Sequence, residues 1–137
     1  KTAILILTGF DVERTRQLIN HFEPAKTVLG IQVGGQFGNR ERNNAQLHKN
    51  ECKGQTDIES FELDAYSPDN GYHEIEQRIK ELKDFNIIVC SQGPKLSAVA
   101  LYKIHVQYPQ IALCYVPAKQ YNFLYSKGIG TTIVHKF

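Results

Sequence analysis

The sequence predicts a three-layer Rossmann-like α/β domain, in which a mostly parallel sheet of about five or six strands is flanked by helices. Short, continuous apolar runs recur along the chain, and segments with helical spacing of apolar residues separate them. Strands joined through helices need crossover connections, which make neighbouring strands parallel and the crossovers right-handed. The order is strand–helix repeated about four times, then strand, loop and strand, which is typical of a doubly wound domain.

The composition indicates one folded domain. Hydrophobic residues make up 42% and charged residues 22% of the 137 residues, and the formal net charge of +2 is too small to indicate nucleic-acid binding by itself. We therefore expect residues 1–137 to form a single domain with one core. No apolar run approaches the roughly 20 residues of a membrane-spanning helix, and no signal peptide is visible.

The three cysteines, Cys52, Cys90 and Cys114, favour a reducing compartment. Their number is odd and no CxxC pair exists, so we expect neither a disulfide framework nor a zinc site. The protein is therefore predicted to be cytoplasmic, with no membrane partner. The chain contains no methionine, not even at position 1, which favours a piece excised from a longer protein. The rest of that protein would then carry part of the function.

The first half of the chain is predicted to contain three strands and two helices. Thr2 to Leu7 is a continuous apolar run, which is typical of a central parallel strand. Asp11 can cap the helix that follows. Thr27 to Val33 is a second strand, followed by a short, exposed helix over residues 40–47. Ile58 to Leu63 alternates apolar and acidic residues, as expected of a third strand near a sheet edge.

The second half continues the same alternation and contains the strongest buried strand. The predicted elements are a turn over residues 67–71, a helix over 75–82, the buried strand Phe85–Cys90, a long helix from Leu96 that ends before Pro109, a fifth strand over Ile111–Val116 and a short sixth strand over Thr131–Val134. The sixth strand can be antiparallel, because only a loop separates it from the fifth.

The first candidate binding segment is Thr8-Gly9-Phe10-Asp11, directly after the first strand. In open α/β sheets, ligands bind beyond the carboxyl ends of the strands. Gly9 permits a close backbone approach, and the next helix offers unpaired N–H groups to an anion. The segment is neither a GxGxxG fingerprint nor a Walker loop, so it supports no dinucleotide site and no nucleotide triphosphatase. A plain turn with Asp11 as helix cap is the open alternative.

The second segment, Ser91-Gln92-Gly93-Pro94-Lys95, is the best candidate site, because a buried strand stops and a helix starts within five residues. Pro94 suits the first helical turn, and Gly93 permits a tight approach. Lys95 is expected in that first turn, where a cation opposes the helix dipole and needs an anionic partner. We therefore predict an anion or phosphate contact here, with a solvated lysine as the alternative.

Two further segments follow predicted strands. Residues 34–44 hold three glycines and two arginines that suit a phosphate, but a flexible surface loop is the favoured interpretation. The loop from Tyr115 to Gly130 contains Tyr121 and Tyr125, whose aromatic faces near lysines suit stacking on a base. Coverage of the open end of the sheet, or of a dimer surface, is an equal alternative.

No catalytic residue, cofactor or metal site is predicted. The five histidines form no HxH, HExxH or triad-like grouping. Ser91 lacks the GxSxG elbow of a hydrolase, and no pair of carboxylates stands at a strand end in an acid/base arrangement. The absence of a recognisable nucleophile or base favours binding over catalysis.

Thr8-Gly9-Phe10 and Gly93-Pro94-Lys95 together resemble the paired turns of CARF domains, the Rossmann-like ligand-sensing domains associated with CRISPR systems. In that family a polar turn after the first strand and a Gly-Thr-Lys-type turn after the fourth meet around a cyclic oligoadenylate. Here Pro94 replaces the threonine, so a hydroxyl is lost. The resemblance implies a homodimer with the ligand on its two-fold axis, a covalently linked effector domain and a role in antiviral defence.

The first functional hypothesis is a regulatory domain that senses a nucleotide, a cyclic oligonucleotide or another phosphorylated ligand. Lys95 and the amides near Gly93 would hold phosphate. Thr8, Phe10 and Tyr121 would touch the sugar or base.

Two alternatives belong to other classes. One is an enzyme acting on a nucleotide or small anion, with Lys95 as electrostatic stabiliser and Asp11 as base. The other is a protein-interaction domain that binds no small ligand.

Overall fold

A computed structural model of the chain describes residues 1–34, 45–52, 54 and 57–115. Within these ranges five strands and four helices alternate along the chain, which confirms the predicted α/β class. The elements are β1 (Thr2–Leu7), α1 (Val12–Phe22), β2 (Lys26–Gln32), α2 (Ala45–Glu51), β3 (Asp57–Leu63), α3 (Tyr72–Glu81), β4 (Asn86–Ser91), α4 (Ser97–Gln107) and β5 (Ala112–Cys114).

The described strands form one parallel sheet in the order β3-β2-β1-β4-β5. The chain moves outward from β1 to β3 on one side and then crosses back to place β4 on the other side of β1. Of the described strands, β3 lies at one edge, as its alternating sequence predicts. The predicted sixth strand, residues 131–134, lies outside the described residues.

The sheet has a packed layer of helices on each face. Successive side chains of a strand point to opposite faces, so the apolar run of β1 serves two cores, represented by the fully buried Leu5 and Ile6. Leu5 belongs to a cluster with α3 and α4. Ile6 belongs to a cluster with α1 and Cys52, which follows α2. The predicted three-layer Rossmann-like architecture is therefore confirmed, with the core split between the two faces.

The position of α2 corrects the sequence prediction. The sequence placed a short, exposed helix over residues 40–47, whereas α2 spans Ala45–Glu51 and buries His48 completely. Residues 40–44 lie outside the described part. Leu47 is 40% exposed, as an exposed helix predicts, but the helix turns His48 inward against α1.

None of the helices in the described ranges is both long and apolar enough to cross a bilayer. Cys52, Cys90 and Cys114 are free thiols, and burial raises the pKa of Cys90 far above its usual value, which keeps that thiol protonated.

Thr27 on β2 gives a first prediction on stability. Its side chain is completely buried, and its hydroxyl has no hydrogen-bond partner among the described residues. A buried hydroxyl without a partner has lost its hydrogen bonds to water and gained none in return, which destabilises the fold. We therefore expect Thr27→Val to raise the free energy of unfolding by about 1 kcal/mol. Urea unfolding measures the change. Thr15→Val, which removes a bonded hydroxyl, is the matched control and should lower stability; a decrease for Thr27→Val would contradict the prediction.

Candidate functional site

The strand order creates a switch point between β1 and β4. The chain leaves β1 toward α1 on one face and leaves β4 toward α4 on the other. In open α/β sheets, a crevice for a ligand lies at such a point, beyond the carboxyl ends of the strands. Leu7 and Ser91 are register partners at that end. The structure therefore brings the two predicted segments, residues 8–11 and 91–95, side by side.

The two segments touch through their backbones. The Gln92 amide donates to the carbonyl of Leu7 at 2.8 Å, and the Thr8 hydroxyl donates to the carbonyl of Gly30 at 3.1 Å. A methyl carbon added to Gly9 would lie 2.1 Å from the carbonyl oxygen of Gln92, so no side chain fits there. Gly93 is also close-packed, since an added carbon would lie 3.3 Å from the carbonyl oxygen of Thr8.

A buried amide supports the second segment from beneath. Gln32, at the end of β2, is 2% exposed; its Nε2 donates to Ser97 Oγ at 3.1 Å and its Oε1 accepts from the Ala65 amide at 3.2 Å. The added carbon on Gly93 would also lie 3.1 Å from Gln32 Nε2. Gln32 thus ties β2, the turn after β3 and the start of α4 into one base. Sequence reasoning missed it, although a polar residue closing an apolar strand was a visible signal.

A second polar network supports both segments from the side of α1 and α2. His48 is completely buried, with Nε2 3.1 Å from the carbonyl oxygen of Gly9 and Nδ1 2.9 Å from Thr15 Oγ1. Thr15 Oγ1 lies 3.3 Å from Oε1 of Gln92. Burial lowers the pKa of His48, outweighing the opposite effects of its bond to Gly9 and of Asp11. The sequence pattern does not single out His48, because this histidine belongs to no recognisable motif.

Predicted binding side chains of both segments lie at the surface or close to it. Phe10 is 39% exposed, Lys95 is exposed and Ser91 is half-buried. Asp11 is exposed too, but its carboxylate accepts from the Glu13 amide at 3.0 Å and caps α1, so the capping interpretation is confirmed. This bond commits the carboxylate to the helix end.

Lys95 lies before α4 rather than in its first turn. The helix begins at Ser97, and residues 94–96 form a tight turn ahead of it. The first amides of the helix are already bonded within this turn: those of Ser97, Ala98 and Val99 donate to the carbonyls of Pro94, Lys95 and Leu96. An anion at this end would therefore meet the Lys95 ammonium group and not these three amides.

Some predicted features fall outside the described residues. Tyr121 and Tyr125 belong to this group, as do residues 35–44 of the glycine- and arginine-rich segment. Within the described ranges, no cluster of three or more His, Cys, Asp or Glu side chains could hold a metal ion.

Comparison with known proteins identifies a fold and no family. No family model matches the chain, and no curated protein matches it. Eleven chains of solved structures are similar. One is Can2 from Sulfobacillus thermosulfidooxidans, solved in complex with cyclic tetra-adenylate (cA4), with a TM-score of 0.60 and 17% sequence identity.

The alignment with Can2 covers 85% of this chain and 32% of Can2. The chain thus spans about a third of the length of that protein. Can2 is a CARF-domain protein. At 17% identity, the likeness concerns the fold alone. As a resemblance of fold, the similarity to CARF-type domains that the two turns predict is confirmed.

Proposed function

We propose that this domain is a ligand-sensing module that binds a nucleotide of the cyclic oligoadenylate class in the crevice between β1 and β4. The observation that carries the proposal is the switch point itself, where two glycine-containing turns meet beyond the carboxyl ends of the central strands. The cA4 complex of the structurally similar Can2 supports the choice of ligand class.

Lys95 and Phe10 are the side chains best placed to reach a ligand in this crevice. Both are exposed, and they come from opposite sides of the switch point. The ammonium group suits a phosphate and the aromatic ring suits a base or sugar. Thr8 is completely buried, so its part is to hold the turn against Gly30 rather than to touch the ligand with its side chain.

We further propose that the domain acts as a homodimer and is linked to an effector domain in a longer chain. Tyr102 and Val106 on α4 are 52% and 62% exposed and lie one helical turn apart, which gives α4 an apolar outer stripe that suits a second copy. The chain matches only 32% of Can2, which leaves room for further domains in a protein of that size. Light scattering on the purified chain tests the dimer.

Lys95→Ala tests the site. We expect this variant to bind cA4 at least about tenfold more weakly than the wild type, because a charge-assisted contact to phosphate contributes roughly 1.5–3 kcal/mol. The loss should shrink as salt concentration rises. Isothermal titration calorimetry measures the affinity, and thermal-shift screening against linear and cyclic nucleotides establishes the preferred ligand.

Lys83→Ala is the matched control, because Lys83 is an exposed lysine between α3 and β4, at the amino end of the strand and outside the proposed dimer surface. It should bind cA4 as the wild type does. Full retention of cA4 affinity by Lys95→Ala would refute the site assignment. Turnover of cA4 that disappears in Asp11→Asn would instead support the enzyme alternative.

A further inference from the structure

Two of the three cysteines lie opposite each other on neighbouring strands. Cys90 and Cys114 are register partners in the parallel pairing of β4 with β5. Neighbouring strands of a sheet are about 4.8 Å apart, and the Cα atoms of a disulfide are usually about 4.4–6.8 Å apart. The backbone at this pair is therefore within the range over which two cysteines can be bridged.

Both thiols also lie on the same face of the sheet. Cys90 belongs to the apolar cluster that contains Leu18 and Ile19 of α1, and Cys114 packs against that cluster. The two thiols interact with each other as well. Burial, and after it the hydrogen bond with Cys114, raises the pKa of Cys90. Strand register, a common core and direct contact thus all bring the two sulfur atoms together.

The two thiols differ in their access to solvent. Cys90 is 1% exposed, whereas Cys114 is only partly buried, at the end of the short strand β5. A dissolved oxidant therefore reaches Cys114 first. Burial also keeps Cys90 protonated at neutral pH, and a protonated thiol reacts slowly with an oxidant. Cys114 is accordingly the thiol that is oxidised first, and Cys90 is the thiol held beside it.

We propose that Cys90 and Cys114 form a peroxide-sensitive pair, which oxidation converts into a reversible disulfide between β4 and β5. Hydrogen peroxide transfers one oxygen atom to the sulfur of Cys114, which gives a sulfenic acid and one water. The sulfur of Cys90 then displaces the sulfenic hydroxyl group, which takes up the Cys90 proton and leaves as a second water. The two thiols together lose two electrons, and the peroxide gains them.

The geometry of the strands makes this disulfide easy to reduce. Side chains of register partners stand side by side, so their Cβ atoms stay near the strand spacing of about 4.8 Å, beyond the roughly 3.5–4.5 Å of a relaxed disulfide. Strained bridges of this kind are the labile and regulatory ones. Two molecules of glutathione restore both thiols and become glutathione disulfide. The inference does not depend on the proposed function, although Cys90 directly precedes Ser91 of the candidate site.

Thiol counting and peptide mapping test the pairing. All three cysteines of the untreated chain are free. After treatment of the dilute folded protein with hydrogen peroxide, followed by unfolding and alkylation, we expect only Cys52 to be alkylated. Mass spectrometry of a digest should show the Cys90 peptide joined to the Cys114 peptide, and excess glutathione should return all three thiols. A wild type that keeps three alkylated cysteines, or a bridge that contains Cys52, would overturn the inference.

Single variants test the order of the two steps. In Cys90→Val the sulfenic acid on Cys114 has no thiol to resolve it, so dimedone should label Cys114 much more than in the wild type. Cys90→Ala gives the same comparison if Cys90→Val does not fold. Cys114→Ala should lose the disulfide and leave Cys90 alkylated. Equal dimedone labelling of Cys114 with and without Cys90 would overturn the inference.

Cys52→Ala is the matched control for these variants. Cys52 is as buried as Cys90 and belongs to the same apolar cluster, but it lies after α2 and outside the pairing of β4 with β5. Folded Cys52→Ala should form the bridge between Cys90 and Cys114 at the wild-type rate. Loss of that bridge from folded Cys52→Ala would show that the strand register does not create the pair, and would overturn the inference.

Discussion

Gly9→Ala is expected to lower the free energy of unfolding by about 3 kcal/mol and to abolish stabilisation by cA4. The new methyl carbon would lie 2.1 Å from the backbone carbonyl oxygen of Gln92, and its own position is fixed by the backbone of residue 9. No rotation of a side chain relieves it, so the turns after β1 and β4 must separate, and such overpacking costs about 1–3 kcal/mol or more. Urea unfolding and thermal shift with cA4 measure the two effects.

Gly54→Ala is the control for Gly9→Ala. Gly54 has a positive φ of 82° but open space around it, so alanine there adds backbone strain without a clash, and we expect a loss of only about 1 kcal/mol. A Gly9→Ala protein as stable as Gly54→Ala that still responds to cA4 would show that the two turns are not held together as described.

Gln32→Ala is expected to lower the free energy of unfolding by about 3 kcal/mol. It removes a buried side chain and leaves the Ala65 amide and the Ser97 hydroxyl without the partners that Gln32 supplies at 3.2 and 3.1 Å. Each orphaned buried group costs roughly 1–3 kcal/mol, and the cavity adds to this. Because Gln32 lies beneath Gly93, the affinity for cA4 should fall as well.

Gln46→Ala provides the matched glutamine control. Gln46 is exposed on α2 and bonds only Asn50 on its own helix among the described contacts, so its loss should change stability by less than about 0.5 kcal/mol. Equal unfolding midpoints for Gln32→Ala and Gln46→Ala would refute the role given to Gln32. Chemical denaturation with both variants at the same protein concentration makes the comparison.

The fold could be predicted largely from the sequence because it depends on apolar runs. A strand buried on both faces, such as β1, is apolar at nearly every position and is easily identified in the sequence. The helices between such strands require a parallel sheet. Strand order could not be predicted, because periodicity reports which face is buried and not which strand is adjacent. That the turns at Gly9 and Gly93 lie near each other could be predicted only from the general rule that ligand sites of open α/β sheets lie beyond the carboxyl ends of the strands.

The supporting layer of the site could not be predicted for a different reason. Gln32, Thr15 and His48 are polar residues whose burial depends on partners far along the chain. A lone histidine on a mostly polar helix resembles a surface residue until α1 covers it. Lys95, in contrast, is singled out by local pattern alone and stays a prediction as a ligand contact. Its place ahead of α4 depends on the tight turn that begins at Pro94.

The parallel pairing of β1 with β4 also has a consequence for how the crevice comes into being. Thr2 pairs with Asn86, 84 positions further along the chain, whereas β1 and β2 join residues only 23 positions apart, Ala3 with Lys26. Closing the longer loop costs more chain entropy. The pairing of β1 with β4 is therefore expected to form after the pairing of β1 with β2. Because the turns at Gly9 and Gln92 meet only when that distant pairing is made, the crevice has no precursor in a partly folded chain. The candidate site is therefore expected to form only together with the complete sheet, and not in a folding intermediate that lacks β4.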